Sequence, residues 1–142
     1  FDTWLKGFGL EAAGYLIDLV QQLSAQPPVY LDENEIRAVE KAKTILQASL
    51  KHPPAVIDLC RKVGVNKNKL QKGFRLTEGK SVAEYVRTLR MERALDLLED
   101  DTLSIQEVAE EVGYNGISNF YAVFRQTFGD TPAAIQKLLE KK

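Results

Sequence analysis

The chain of 142 residues holds one cysteine, Cys60, and one histidine, His52. That scarcity excludes a good deal of chemistry. An internal disulfide needs two cysteines, and a zinc site of ordinary ligand spacing cannot be built from one cysteine and one histidine. A serine or cysteine triad would have to rely on His52 alone, which stands before two prolines and reads as exposed. No glycine-rich phosphate loop is present, and the clustered carboxylates Glu99, Asp100 and Asp101 fall at a helix end, where they read as a solvated loop. The chain is therefore expected to be no enzyme and to carry no cofactor. No apolar run approaches the roughly 20 residues of a membrane span, and no secretory segment opens the chain. With the lone cysteine, this fits a cytoplasmic protein without a membrane partner. The chain starts at Phe1 rather than methionine, which reads as a piece cut from a longer protein.

Strand-like alternation is also lacking, and the apolar spacing is helical almost throughout, so the fold is expected to be all-α. Leu10–Leu23 reads as an amphipathic helix with Leu16, Leu19, Val20 and Leu23 on one stripe, closed by Ala25-Gln26-Pro27-Pro28. Asp32 with Glu35 offers a capping box for a helix to about Leu50, with Ile36, Val39, Ala42, Leu46 and Leu50 inward. His52-Pro53-Pro54 ends that segment.

What the chain does have is one motif twice. Val63-Gly64 reappears as Val112-Gly113, 49 positions later; Leu70, Phe74, Arg75 and Gly79 then reappear as Phe120, Phe124, Arg125 and Gly129, 50 positions later. Each copy reads as a helix, a glycine turn and a second helix with a polar outer face. In the first copy Val56, Leu59, Cys60 and Val63 point inward, with Cys60 a small buried hydrophobe. Gly64 supplies a positive φ, and Asn66 caps the second helix. The capping box Ser81-Val82-Ala83-Glu84 then opens a linker helix to about Asp100, through Val86, Leu89, Leu95 and Leu98. Twenty residues would span about 30 Å, near one turn of duplex DNA. Ser104–Glu107 opens the second copy. Its inner residues are Val108, Ala109 and Val112, then Phe120, Phe124 and Phe128; the phenylalanines have buried-face spacing and read as core, not as a stacking platform. Thr131-Pro132 starts a last helix with Ile135, Leu138 and Leu139 inward.

The net charge of −1 hides a strong asymmetry. Residues 51–90 carry ten basic and three acidic side chains, or +7, while residues 1–40 and 91–142 each sum to −5. The basic patch coincides with the first copy, where it can attract a polyanion. There Lys67, Asn68, Lys69, Gln71 and Lys72 stand where the second copy has Ile117, Ser118, Asn119, Tyr121 and Ala122.

Ile105-x-Glu107-Val108-Ala109-x-x-Val112-Gly113-Tyr114, Ser118-x-Phe120, Phe124-Arg125, Phe128-Gly129 and Pro132 resemble the DNA-binding domain of the AraC/XylS family of bacterial transcription regulators. Ala42-x-x-Ile45-Leu46 with Pro53-Pro54 is similar to its siderophore-responsive subgroup. The resemblance covers about residues 40–137 and implies about seven helices: two helix-turn-helix units (about 53–80 and 103–129) joined by a rigid linker helix (about 81–100), within a domain of residues 31–142. Residues 1–30 would be the tail of a ligand-sensing or dimerising region. The implied function is sequence-specific binding of promoter or operator DNA in adjacent major-groove segments, with RNA polymerase as partner, usually in activation. A small-molecule effector would bind outside the chain. Carried over by position, the base-reading residues are Asn68, Gln71 and Lys72 in the first unit, and Ser118, Tyr121 and Ala122, with Ile117, in the second. Gln suits adenine and Lys suits guanine. Phosphate contacts would come from Lys67, Lys69, Arg75, Arg87, Arg90 and Arg125.

Other readings of these residues stand beside that one. Lys- and Gln-bearing faces are often only solvated; Arg87 and Arg90 could pair along their helix with Glu84 or Asp96; Tyr121 could pack over its own unit. Ala122 stands where relatives often have a basic residue, and Ile135-Gln136 replaces a usual Tyr-Arg, which points to weaker reading by the second unit. A different class, a helical protein-interaction module whose DNA reading has decayed, is suggested by the acidic second copy and the net charge of −1.

Overall fold

The computed structural model describes residues 14–22 and 30–141 and divides the chain into two units, Phe1–Leu31 and Asp32–Lys142. In the first, residues 14–22 are helical. The remainder of the expected Leu10–Leu23 helix and the Ala25–Pro28 boundary lie outside the described residues.

The second unit consists of α1 (Glu33–Ala48), α2 (Val56–Val63), α3 (Lys67–Glu78), α4 (Val82–Leu97), α5 (Ile105–Glu111), α6 (Ile117–Phe128) and α7 (Pro132–Glu140). Local sequence chemistry sets most of these boundaries. Reciprocal capping boxes start three helices: Asp32 with Glu35, Ser81 with Glu84, and Ser104 with Glu107. Asn66 Oδ1 accepts from the Lys69 N–H at 2.9 Å to start α3. Thr131 caps α7, with Pro132 in its first turn. Gly64 and Gly79 end α2 and α3 in left-handed geometry, at φ 78° and 68°, where a side chain would be strained.

Packing produces two separate cores. In the first, Val39, Ala42 and Leu46 of α1 meet Leu59 and Cys60 of α2, Leu70 and Phe74 of α3, and Val82 and Tyr85 of α4. The Phe74 and Tyr85 rings meet edge to face at 5.3 Å. In the second, Met91, Ala94 and Leu98 join Val108, Ala109, Val112, Tyr114, Phe120 and Phe124. A ladder of tilted rings runs from Tyr114 through Phe120 and Phe124 to Phe128, at 5.6, 5.7 and 4.7 Å. α4 enters both cores. At about 100° per residue, Met91, Ala94 and Leu98 lie nearly opposite Val82, Tyr85 and Leu89 around its axis.

Several sequence expectations change. Ile36 and Leu138, expected inward, are exposed, while Ala38, Tyr85, Met91 and Ala94 are buried. Leu95 is only half-buried, and Leu50 lies beyond the end of α1, which is capped at Ser49. The linker helix is shorter than expected, with 16 residues, or about 24 Å at a rise of 1.5 Å. It stops because Asp100 turns the chain, accepting from the Thr102 N–H at 3.0 Å and its hydroxyl at 2.6 Å.

Two features tie α1 to α3. At Gly73, an added Cβ would stand 2.5 Å from Val39 Cγ2, so the two helices approach as closely as glycine allows. Gly73→Ala is expected to destabilise the fold by about 1–3 kcal/mol through overpacking, measured by urea unfolding. Lys43 Nζ meets Glu78 Oε1 at 2.6 Å, both side chains being half-buried. The hydrogen bond to Glu78, opposed by partial desolvation, raises the Lys43 pKa above its ordinary 10.5. The folded state thus holds that proton more tightly, so the pair's contribution is complete below pH 10.5 and is lost as the pH climbs through the raised pKa. Glu78→Gln is expected to cost about 1 kcal/mol at neutral pH, with wild type and variant converging in strongly alkaline urea melts.

Candidate nucleic-acid interface

α3 and α6 are the second helices of the two motif copies, each anchored by aromatic or leucine side chains that leave the opposite face outward. On α3, Leu70 and Phe74 are fully buried, which exposes Lys67, Asn68, Lys69 and Arg75 and leaves Gln71 and Lys72 half-buried beside them. On α6, Phe120 and Phe124 are fully buried, and Ile117, Ser118, Ala122 and Arg125 are exposed. Ile117, Ser118, Tyr121, Ala122 and Arg125 all line one open cleft of about 600 Å³, with Thr131 at its edge. The five second-copy residues expected to contact DNA thus share one surface, while Asn119 lines a different cleft.

The two faces differ in chemistry. The α3 face carries Lys67, Lys69, Lys72 and Arg75, all formally charged, whereas the α6 face carries Arg125. Tyr121 is half-buried with its ring edge-on to Phe120 at 6.4 Å, so part of it packs on its own unit while its outer edge lines the cleft. The caps differ too: Asn66 satisfies an N–H of α3, but Gly116 leaves the first turn of α6 without a side-chain cap.

Two residues have structural partners that the sequence did not reveal. Gln71 Oε1 accepts from the Val82 N–H at 3.1 Å and so helps start the linker helix. A bidentate pairing with adenine uses both ends of the amide; here the Gln71 Oε1 is already engaged by Val82. Arg90 Nε donates to the Leu50 carbonyl at 3.3 Å, and its guanidinium lies 5.3 Å from the centre of the Tyr114 ring. Glu84, a suggested partner, instead accepts from the Ser81 N–H in the capping box. Burial pushes the Tyr114 hydroxyl pKa up, against the opposing pull of Arg90 and Arg87. Arg87 is exposed, and both arginines line a cleft of about 420 Å³ with Pro53, Val86, Tyr114 and Asn119. Gln136, at the departure from the usual Tyr-Arg, donates to the Leu98 carbonyl at 3.5 Å and braces α7 on the end of α4.

Cys60 is buried, which raises its thiol pKa, and His52 is exposed. No described helix is long and apolar enough to cross a membrane, and the described residues hold no cluster of metal-ligating side chains.

Two glycine-turned helix pairs, each presenting its second helix on a polar face, define a duplex DNA-binding protein of the helix-turn-helix class. The comparisons with known proteins narrow the class. Residues 59–138 match the family model described as a helix-turn-helix domain. The chain is similar to the Msm operon regulatory protein of Streptococcus mutans, 29% identical over 131 residues that make up 89% of this chain and 47% of that protein. It is also similar to the HTH-type transcriptional activator RhaR of Escherichia coli, 31% identical over 73% of this chain and 37% of that protein. A transcriptional regulator with an AraC-type DNA-binding domain from Chromobacterium violaceum has the same fold, with a TM-score of 0.68, 24% identity, and coverage of 72% of this chain and 91% of that one. The chain belongs to the helix-turn-helix family whose model residues 59–138 match, and it has the fold of an AraC-type DNA-binding domain. It spans half or less of the curated relatives named here. These relatives lend no support to the siderophore-responsive subgroup.

Because Gln71 caps the linker helix, its loss is expected to register without DNA. Gln71→Ala should lower stability by about 0.5–1.5 kcal/mol, and Gln71→Glu, which keeps the acceptor, should lose less in the same urea melts.

Proposed function

We propose that the chain reads two adjacent major-groove segments of promoter DNA, with α3 as the stronger probe and α6 docking beside it. The observation that carries this reading is the contrast between two similar scaffolds: the same buried positions hold both helices, while the outer face is strongly cationic on α3 and nearly neutral on α6. Asn68, Lys72 and the donor end of Gln71 would read bases; Lys67, Lys69, Arg75 and Arg87 would contact phosphate. In the second unit, Ser118 would offer a hydroxyl, Tyr121, Ile117 and Ala122 apolar contact such as a thymine methyl, and Arg125 a phosphate contact. Within a longer regulator, residues 1–30 would continue into an effector-binding or dimerising region, and RNA polymerase would be the partner in activation. The similarity to RhaR, a transcriptional activator, supports that direction.

The opposing reading, a helical interaction module that no longer reads DNA, draws on the acidic second unit and predicts no retarded duplex in a random library. Selection from random duplexes followed by salt titration separates the two. Lys72→Ala is expected to cost about 1–3 kcal/mol on the selected site and to relax preference at one position. Replacing Lys67 and Lys69 together is expected to reduce the slope of log K against log salt by roughly two while leaving the preferred sequence unchanged. Equal binding by wild type and Lys72→Ala, with an unaltered salt slope for the double variant, would sink the assignment of α3 as the main probe.

A further inference from the structure

The two cores share α4 but no buried side chain. Further contacts between the helix-turn-helix units gather at one place. Arg90, in the middle of α4, donates its Nε–H to the Leu50 carbonyl at 3.3 Å and lays its guanidinium against the Tyr114 ring. Leu50 follows α1, which packs in the first core; Tyr114 follows the turn glycine of the second helix-turn-helix pair and packs in the second core. At that glycine, Gly113, with φ 98°, an added Cβ would stand 2.7 Å from Arg90 Nη2 and 2.9 Å from the Lys51 carbonyl oxygen. The second turn is thus pressed against both the arginine and the backbone leaving α1. At the rim, Lys51 Nζ and the Glu111 carboxylate add an ion pair at 3.6 Å.

We propose that Arg90 is a positioning residue that clamps the second helix-turn-helix unit to the first, fixing the angle between α3 and α6 and so the spacing of DNA segments the chain accepts. The proposal rests on the two-segment reading given above. A guanidinium suits this task because its planar fork donates in a fixed direction while its face stacks on an aromatic ring; an ammonium matches the charge but not the plane. A phosphate contact would require the same group to turn outward. The two roles therefore leave different signatures.

The test uses the full chain. In DNA-free protein, residual dipolar couplings from α1–α3 and α5–α7 are expected to fit one alignment tensor for wild type and two for Arg90→Met. On duplexes carrying the selected segments, insertion of one base pair between them is expected to cost wild type about tenfold in affinity and Arg90→Met less than about threefold, since a loosened joint tolerates more spacings but gains less from the second contact. The slope of log K against log salt should be the same for both proteins. Arg90→Lys, which keeps charge and stem, guards against a variant that fails to fold: it is expected to follow Arg90→Met in the spacing series and in the couplings. The clamp is overturned if the couplings of both variants still fit one tensor. It is equally overturned if the salt slope falls by about one in Arg90→Met and Arg90→Lys restores both slope and affinity, the pattern of a phosphate contact. If the couplings separate as expected but wild type shows no preference among spacings, the clamp stands and the two-segment reading fails.

Discussion

A single helix that must satisfy two cores on opposite sides is the constraint on which the rest of this domain depends. α4 sends Val82 and Tyr85 into the first core and Met91, Ala94 and Leu98 into the second. Each helix-turn-helix unit is small, and cores of that size are marginal when isolated. Sharing a helix makes each unit part of the other's support. It also means that rotation of α4 to favour one core would withdraw side chains from the other. The short span of the helix, the capping box at Ser81 and the Asp100 turn set the limits within which that compromise holds.

This constraint also explains where sequence reading succeeded and where it failed. Elements with one buried face were legible: Leu59 and Cys60 on α2, Leu70 and Phe74 on α3, Val108 and Ala109 on α5, and Phe120 and Phe124 on α6 occupy the places that helical spacing indicates. Caps were legible because they depend on local chemistry alone. α4 was not, because a helix buried first on one side and then on the other carries no single stripe; a search for one picks Leu95 and misses Met91 and Ala94. Ile36 and Leu138 were misplaced for a simpler reason, since an apolar residue one position from the inner stripe is indistinguishable from it in spacing. On the candidate interface, the outer residues of α3 and α6 fell where the repeat placed them. The partners of Gln71 and Arg90 were invisible, because both contacts join residues far apart in the chain, 11 and 40 positions respectively.

The inequality of the two faces follows from the same architecture. Buried positions on α3 and α6 are held by their cores, whereas outward positions are free to change without loss of fold. α3 carries the cationic residues, and α6 has a nearly neutral surface around Ile117, Ser118 and Ala122. On the proposed reading, non-specific attraction to a polyanion would arise chiefly at the first helix-turn-helix pair. The second would contribute through shape and through being held at a defined place.

Gln71 gives this division of labour an exception. Its carboxamide oxygen belongs to the scaffold, through Val82, while the side chain as a whole stays half-exposed beside the outer face. If Gln71 reads a base as proposed, position 71 is therefore not a freely exchangeable letter in a recognition code. Any residue installed there to change the sequence preference must also provide an acceptor for the first amide of the linker helix. Retargeting of this domain has more freedom at Asn68, whose side chain is exposed, than at the neighbour one turn along.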